Sequence, residues 1–269
     1  MKTTTNFFAF LMIIFFFSCK KDEVTPPADT CKVSVIDRGN GNKHTYTYDA
    51  TGKVATMARE FDGSGSGKIS KYVYTFTYDN AGVLTKSVWT LDGKDNGSET
   101  YTFTNGKISK VNFKGVDGSA GVNNVKYDDS GRISYFSIET GDPNSDLIQY
   151  FSYDSNGIQT KHEYKGFDGT VYFETVTKPV GVSKSCEQLL GKYNLPYDVL
   201  TGYSWAVNVG GVGTTIESFA PDANAKLVSV ETIKVTSVKV DSKGFISEAV
   251  SIDDAKVSST QRYTLINCN

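Results

Sequence analysis

Thirty carboxylates, two histidines and four cysteines are the groups in this 269-residue sequence that could do acid–base, metal or thiol chemistry. His44 and His162 stand 118 residues apart, and neither has a second ligand at a metal-binding spacing, so each reads as a solvated strand or loop histidine. Serine hydrolysis of the elbow type needs Gly-x-Ser-x-Gly, which the chain lacks. Gly210-Gly211-Val212-Gly213-Thr214-Thr215 has no phosphate-loop lysine, and Gly63-Ser64-Gly65-Ser66-Gly67-Lys68 has one at the wrong glycine spacing. Both read as turns. Asp142-Pro143-Asn144-Ser145-Asp146 offers oxygens at the first, third and fifth positions of a calcium loop, but Leu147 replaces the required glycine and Tyr153 the bidentate glutamate. It reads as an ordinary polar turn. A glycosidase needs two carboxylates converging in space, and no spacing here marks a pair. No catalytic residue, metal ligand or cofactor is therefore assigned, and a glycoside-hydrolase type of enzyme is the weakest reading.

The aromatic residues offer binding instead of reaction. They make 13% of the chain, and Trp89 and Trp205 are the candidate ligand-contact residues, able to stack on sugar rings if exposed on a rigid sheet. Most of the tyrosines read as core. Apolar residues at 39% and charged residues at 22% exclude a disordered chain and a multi-span helical membrane protein. A net charge of −2 gives no basic groove for nucleic acid.

The elements begin with an export signal. Lys2 precedes an uncharged run from Phe7 to Phe17, too short for a bilayer span but suited to the core of a signal peptide. The run ends at Ser18-Cys19, which resembles the lipobox of bacterial lipoproteins, although Phe16 and Phe17 replace the usual leucine and small residue. The resemblance implies acylation of Cys19 and cleavage before it, with outer-membrane lipid as a partner. Lys20-Lys21-Asp22-Glu23 resembles the Bacteroidetes signal that sends lipoproteins to the outer face of the outer membrane. Residues 1–18 are thus expected to be signal peptide and 19–30 a lipidated tether, stiffened by Pro26-Pro27. With Cys19 given to lipid, Cys31, Cys186 and Cys268 can form at most one intramolecular bridge. Three pairings are open, and Cys186–Cys268 is favoured as a brace for the C-terminal region.

A repeat sets the architecture. Tyr48-Asp49-Ala50-Thr51-Gly52 recurs as Tyr78-Asp79-Asn80-Ala81-Gly82, Tyr127-Asp128-Asp129-Ser130-Gly131 and Tyr153-Asp154-Ser155-Asn156-Gly157, with a shortened copy at Phe103-Thr104-Asn105-Gly106. The turn glycines Gly52, Gly82, Gly106, Gly131 and Gly157 are 30, 24, 25 and 26 residues apart. A second turn follows each, at Asp62-Gly63, Asp92-Gly93, Asp117-Gly118, Gly141-Asp142 and Asp168-Gly169, so five units imply roughly ten strands. Aspartate can hydrogen-bond its side chain to following amides, and glycine takes the left-handed backbone that closes a bulged hairpin. Val54, Leu84, Ile108 and Ile133 stand two places after the glycine, where the fifth copy has Gln159. Tyr72, Tyr74, Phe76 and Tyr78 alternate with Val73, Thr75 and Thr77, which puts the aromatics on one sheet face.

This pattern resembles the YD repeats of Rhs-type and teneurin-type surface proteins and, more closely, repeat-bearing Bacteroidetes lipoproteins without known function. The resemblance covers about Tyr46 to Thr177 and implies a surface β-hairpin array, with no active residue to carry over. The fold class is therefore all-β: an antiparallel meander of repeated hairpins over 31–178, then a C-terminal β region over 179–269. That region carries a short helix at Ser185–Gly191, strands at Tyr203–Val209, Lys226–Val240 and Thr260–Ile266, and a sixth turn at Gly244. It either extends the sheet or packs a second one on the aromatic face, since an uncovered aromatic face would aggregate. The functional expectation is an outer-membrane, surface-exposed lipoprotein acting as a non-catalytic binding or structural module. Its contact surface would be the loops Asp62–Lys68, Asp92–Ser98 and Gly141–Asp146, facing an extracellular protein or glycan ligand. The alternative is a glycan-binding accessory of a polysaccharide-uptake system.

Overall fold

In the computed structural model the described residues are 31–39, 41–62, 66–142, 146–181 and 211–267. Sixteen strands form them. β1 (Lys32–Asp37), β2 (Lys43–Tyr48), β3 (Val54–Phe61), β4 (Ser70–Tyr78), β5 (Leu84–Leu91) and β6 (Lys94–Thr104) come first. β7 (Lys107–Gly115), β8 (Ala120–Tyr127), β9 (Ile133–Glu139), β10 (Leu147–Tyr153), β11 (Gln159–Gly166) and β12 (Val171–Lys178) follow. β13 (Thr215–Pro221), β14 (Leu227–Val240), β15 (Ile246–Ile252) and β16 (Ser258–Ile266) complete the set. Each strand pairs antiparallel with its sequence neighbours, and β16 returns to β1 with Tyr263 opposite Ile36, so the meander closes into a barrel. Closure removes every sheet edge. The C-terminal region thus extends the same sheet; β14 and β16 cover two of the expected strands, while Tyr203–Val209 and the helix at Ser185–Gly191 lie outside the described residues.

One turn design recurs at one end of the barrel. In the first copy the Asp49 amide donates to Lys53 O at 2.8 Å and Gly52 N to Asp49 O at 3.0 Å. The carboxylate of Asp49 accepts from the Thr51 and Lys53 amides at 2.8 and 2.9 Å. The Thr51 hydroxyl and those amides hold the Asp49 carboxyl below the usual carboxylate range. The fourth residue takes positive φ: +86° at Gly52, +82° at Gly82, +79° at Gly131, +82° at Gly157 and +82° at Gly244. Asn105-Gly106 is a tighter two-residue version, with φ of 52° and 76°. Two further copies, at the opposite end of the barrel where β13 meets β14 and β15 meets β16, escaped the sequence pattern. Asp222–Lys226 and Asp253–Val257 make the same bonds with Ala225 and Lys256 at φ of 59° and 63°.

Neighbouring repeats are stapled at the first end by the tyrosine that precedes each aspartate. Tyr48, Tyr78, Tyr127 and Tyr153 donate their hydroxyls to the carbonyls of Val33, Val54, Ile108 and Ile133, at 2.6, 2.8, 2.9 and 2.8 Å. The cation next to each acceptor, at Lys32, Lys53, Lys107 and Arg132, lies 4.6–5.2 Å from the same ring. Where Val83 replaces that cation, the next unit carries Phe103, which has no hydroxyl to donate. Burial pushes the Tyr127 phenol up to about 12 and Tyr153 higher still, the latter helped by the Asp128 charge. In the fifth unit Ile158, 5% exposed, takes the buried place that Val54 and Ile108 hold elsewhere, and Gln159 begins the strand.

The alternation places the aromatics inside. A circular barrel of sixteen strands has room for an aqueous channel. Here Ile36, Met57, Phe76, Val111, Phe136 and Val235 join one contiguous buried cluster, so the interior is packed. The sheet covers its aromatic face by curling onto itself, not by recruiting a second sheet. The outer wall is mostly polar: Thr75, Thr77, Thr100, Thr102, Lys110 and Asn112 are exposed mid-strand positions, with Val88, Tyr150, Tyr172 and Val230 as exposed apolar or aromatic exceptions. Lys161 bridges Glu163 and Glu174 at 3.1 and 3.0 Å, and Glu248 is flanked by Lys239 and Arg262 at 2.7 and 2.9 Å. Such pairs add little stability but mark the wall as water-facing.

Candidate functional site

Two interior glycines seat aromatic rings that wall a cavity. Gly97 faces inward opposite Trp89, and Gly121 faces inward opposite Phe113. A Cβ on Gly97 would stand 2.3 Å from Trp89 Cζ2, and one on Gly121 would stand 2.4 Å from Phe113 Cζ. Each ring therefore lies across a glycine, in space that a side chain there would have taken.

The cavity measures about 420 Å³. Its aromatic wall is Phe61, Tyr72, Tyr74, Trp89 and Phe113, drawn from β3, β4, β5 and β7. Phe61 and Tyr72 stack at 5.6 Å and 8°, with the Arg59 guanidinium 4.9 Å from the Phe61 centroid. Tyr74 and Trp89 stack at 6.0 Å and 25°. The polar lining is Arg59, Asn96, Glu99 and Asn123. Glu99 is 5% exposed; its Oε2 accepts from Ser87 Oγ at 3.0 Å and from the Tyr101 hydroxyl at 2.6 Å, which fixes the carboxylate. Asn123 Oδ1 is buried with no hydrogen-bond partner. The lining sits at the barrel end opposite the tyrosine–aspartate turns, beside the Asp62, Asp92 and Asp117 turns, where Phe61, Tyr72, Trp89 and Asn96 keep part of their surface exposed.

Trp89 thus lines an interior cavity and is not displayed on an exposed sheet face. The Tyr72–Tyr78 stripe contributes partly to this cavity and partly to the core, where Phe76 is 7% exposed. Trp205, Cys19, Cys186 and Cys268 lie outside the described residues. Cys31 is buried and disulfide-bonded. The reading of Asp92–Ser98 as a long loop is corrected: Asp92-Gly93 is a two-residue turn with φ of 50° and 79°, and β6 begins at Lys94. In the Gly141–Asp146 loop Asp146 Oδ1 accepts from the Thr140 amide and hydroxyl at 2.6 and 2.9 Å, so that carboxylate caps the loop.

The histidines also need correction. Both lie on strands but point inward, because each occupies an inward position of its strand's alternation. Burial, then the charges of Arg38 and Arg59, push His44 down to about 3. Burial pushes His162 down to about 4, against a raising influence of Glu163. His162 stacks on Phe151 at 4.8 Å and holds Gln149 Oε1 at 2.9 Å. Nothing in the local sequence marked them as buried, since Thr, Lys and Tyr flank both. Gly97 and Gly121 were equally silent, because an inward glycine matters only once its cross-strand partner is known.

The class these features define is a closed, packed, sixteen-stranded antiparallel barrel with a polar outer wall and a cavity at one end. Neither a protein-family model nor a curated protein matches the chain. Among solved structures it is similar to a porin-like protein from Bacteroides uniformis, at 12% identity and a TM-score of 0.52, covering 87% of this chain and 96% of that one. It is also similar to a porin-like protein from Bacteroides vulgatus, at 10% identity and a TM-score of 0.37, covering 87% and 98%. A TcdB2-TccC3 structure is similar at 11% identity and a TM-score of 0.19 over 84% of this chain and 17% of that one. The first likeness shows the barrel fold.

Proposed function

We propose that this chain is a lipid-anchored, non-catalytic binding barrel held at the outer membrane by an acylated Cys19, with its wall in water and not in the bilayer. The observation that carries the reading is the polarity of the outer wall. A membrane barrel shows lipid an apolar band, and each Lys or Arg at mid-membrane costs about 2–4 kcal/mol. Lys110, Lys161 and Arg262, all away from strand ends, would then cost roughly 6–12 kcal/mol. Among the described residues the interior side chains join one buried cluster, and the end cavity offers a binding place. The lipobox-like Ser18-Cys19 and the charged Lys20–Glu23 segment supply the anchor and the surface address.

Cell fractionation tests this. The wild-type chain is expected in the outer-membrane fraction, labelled by an alkyne fatty acid, and open to protease on intact cells. Cys19→Ala is expected to lose the label and leave the membrane without detergent. A Cys19→Ala protein that still needs detergent for extraction would show that the wall itself is embedded, and would end this reading.

A further inference from the structure

We propose that the cavity lined by Trp89, Arg59 and Asn123 is a binding site for a neutral saccharide, one or two rings deep. This deepens the binding-barrel reading and rests on it. The volume of about 420 Å³ falls in the range of small-molecule sites, ~300–1,000 Å³. A sugar ring presents C–H groups on its faces and hydroxyls around its rim. It therefore needs flat apolar surface beside planar groups that both donate and accept. The cavity has this arrangement: the Tyr74–Trp89 and Phe61–Tyr72 stacks supply the surface, and the Arg59 guanidinium with the Asn96 and Asn123 amides stands beside them.

Two observations select among ligands. Asn123 Oδ1 is already buried without a hydrogen-bond partner, an acceptor that an apolar ligand leaves unsatisfied but that a ligand hydroxyl can satisfy once the amide turns toward the cavity. The lining has one basic and one acidic side chain, Arg59 and Glu99, and no cluster of one sign that would select a charged ligand. A neutral polyol suits such a lining.

The chain has two tryptophans, so Trp205→Phe leaves Trp89 as the sole indole reporter. The full chain, in a detergent without a sugar headgroup, is titrated with gluco-, manno-, galacto- and xylo-oligosaccharides of one to four rings. Oligogalacturonate and indole serve as the acidic and apolar comparisons. The expected result is saturable change in Trp89 emission with at least one neutral series, no stronger response to the comparisons, and binding about tenfold weaker in Asn123→Leu. Asn96→Ala removes a second amide and is expected to weaken binding similarly, which keeps the test sound if Asn123→Leu folds poorly. The proposal is overturned if no neutral series responds, or if neither amide variant loses affinity. A response to indole or oligogalacturonate alone overturns the saccharide while leaving a binding barrel. Fractionation of Cys19→Ala reads the anchoring separately.

Discussion

Lys256→Gly is expected to stabilise the barrel, and Gly244→Ala to destabilise it, although the two positions are equivalent in their turns. In both, the aspartate amide bonds the carbonyl four residues on, and the fourth residue's amide returns to the aspartate carbonyl, at 3.1 Å for Gly244 and 3.0 Å for Lys256. The backbone is left-handed in both, with φ of 82° and 63°. That conformation costs an L-residue about 1–2 kcal/mol. Glycine avoids this cost but gives up ~0.5–1 kcal/mol of unfolded-chain entropy. The difference predicts a gain of about 0.5–1 kcal/mol for Lys256→Gly, and the same for Ala225→Gly at φ 59°. Gly244→Ala should lose about that much or more, with no steric component, because an added Cβ there meets nothing within 4 Å. Denaturant midpoints at unchanged slope measure these changes, and thermal midpoints should move by about 1–4 °C. If Lys256→Gly lowers the midpoint while Gly244→Ala leaves it alone, the shared turn design does not govern the stability of these hairpins.

Tyr153→Phe removes the hydroxyl that the Ile133 carbonyl accepts and should cost about 0.5–1.5 kcal/mol by denaturant unfolding, whereas Phe103, with no such bond, should tolerate leucine better than Tyr153 does. Because burial holds His44 and His162 below their unfolded value of 6.5, the folded state resists their protonation, and stability must fall as pH drops from about 6.5 toward 4. Each histidine contributes about 1.4 kcal/mol per pH unit in that window, and imidazole resonances of the native protein that titrate near 6.5 by NMR would refute the assignment. Non-reducing peptide mapping should recover Cys31 only in a cross-linked peptide.

The sequence by itself determined the hairpins. Asp49, Gly52 and their copies specify turns through bonds that span five residues, and the alternation of Tyr72 to Tyr78 specifies which side of each ribbon is apolar. Both signals are local, so both are legible without a fold. The turns at Ala225 and Lys256 were missed because the aspartate bonds alone hold a backbone that glycine would have announced. Closure was not legible, since β1 and β16 meet across more than 200 residues and their pairing follows from the summed curvature of every strand between them. The same holds for the cavity and for the buried histidines. A single interior glycine or imidazole reads like any other strand residue until the register sets Trp89 over Gly97, Phe113 over Gly121 and Phe151 beside His162. Turn chemistry is written in neighbours along the chain, whereas a binding place is made by neighbours across it.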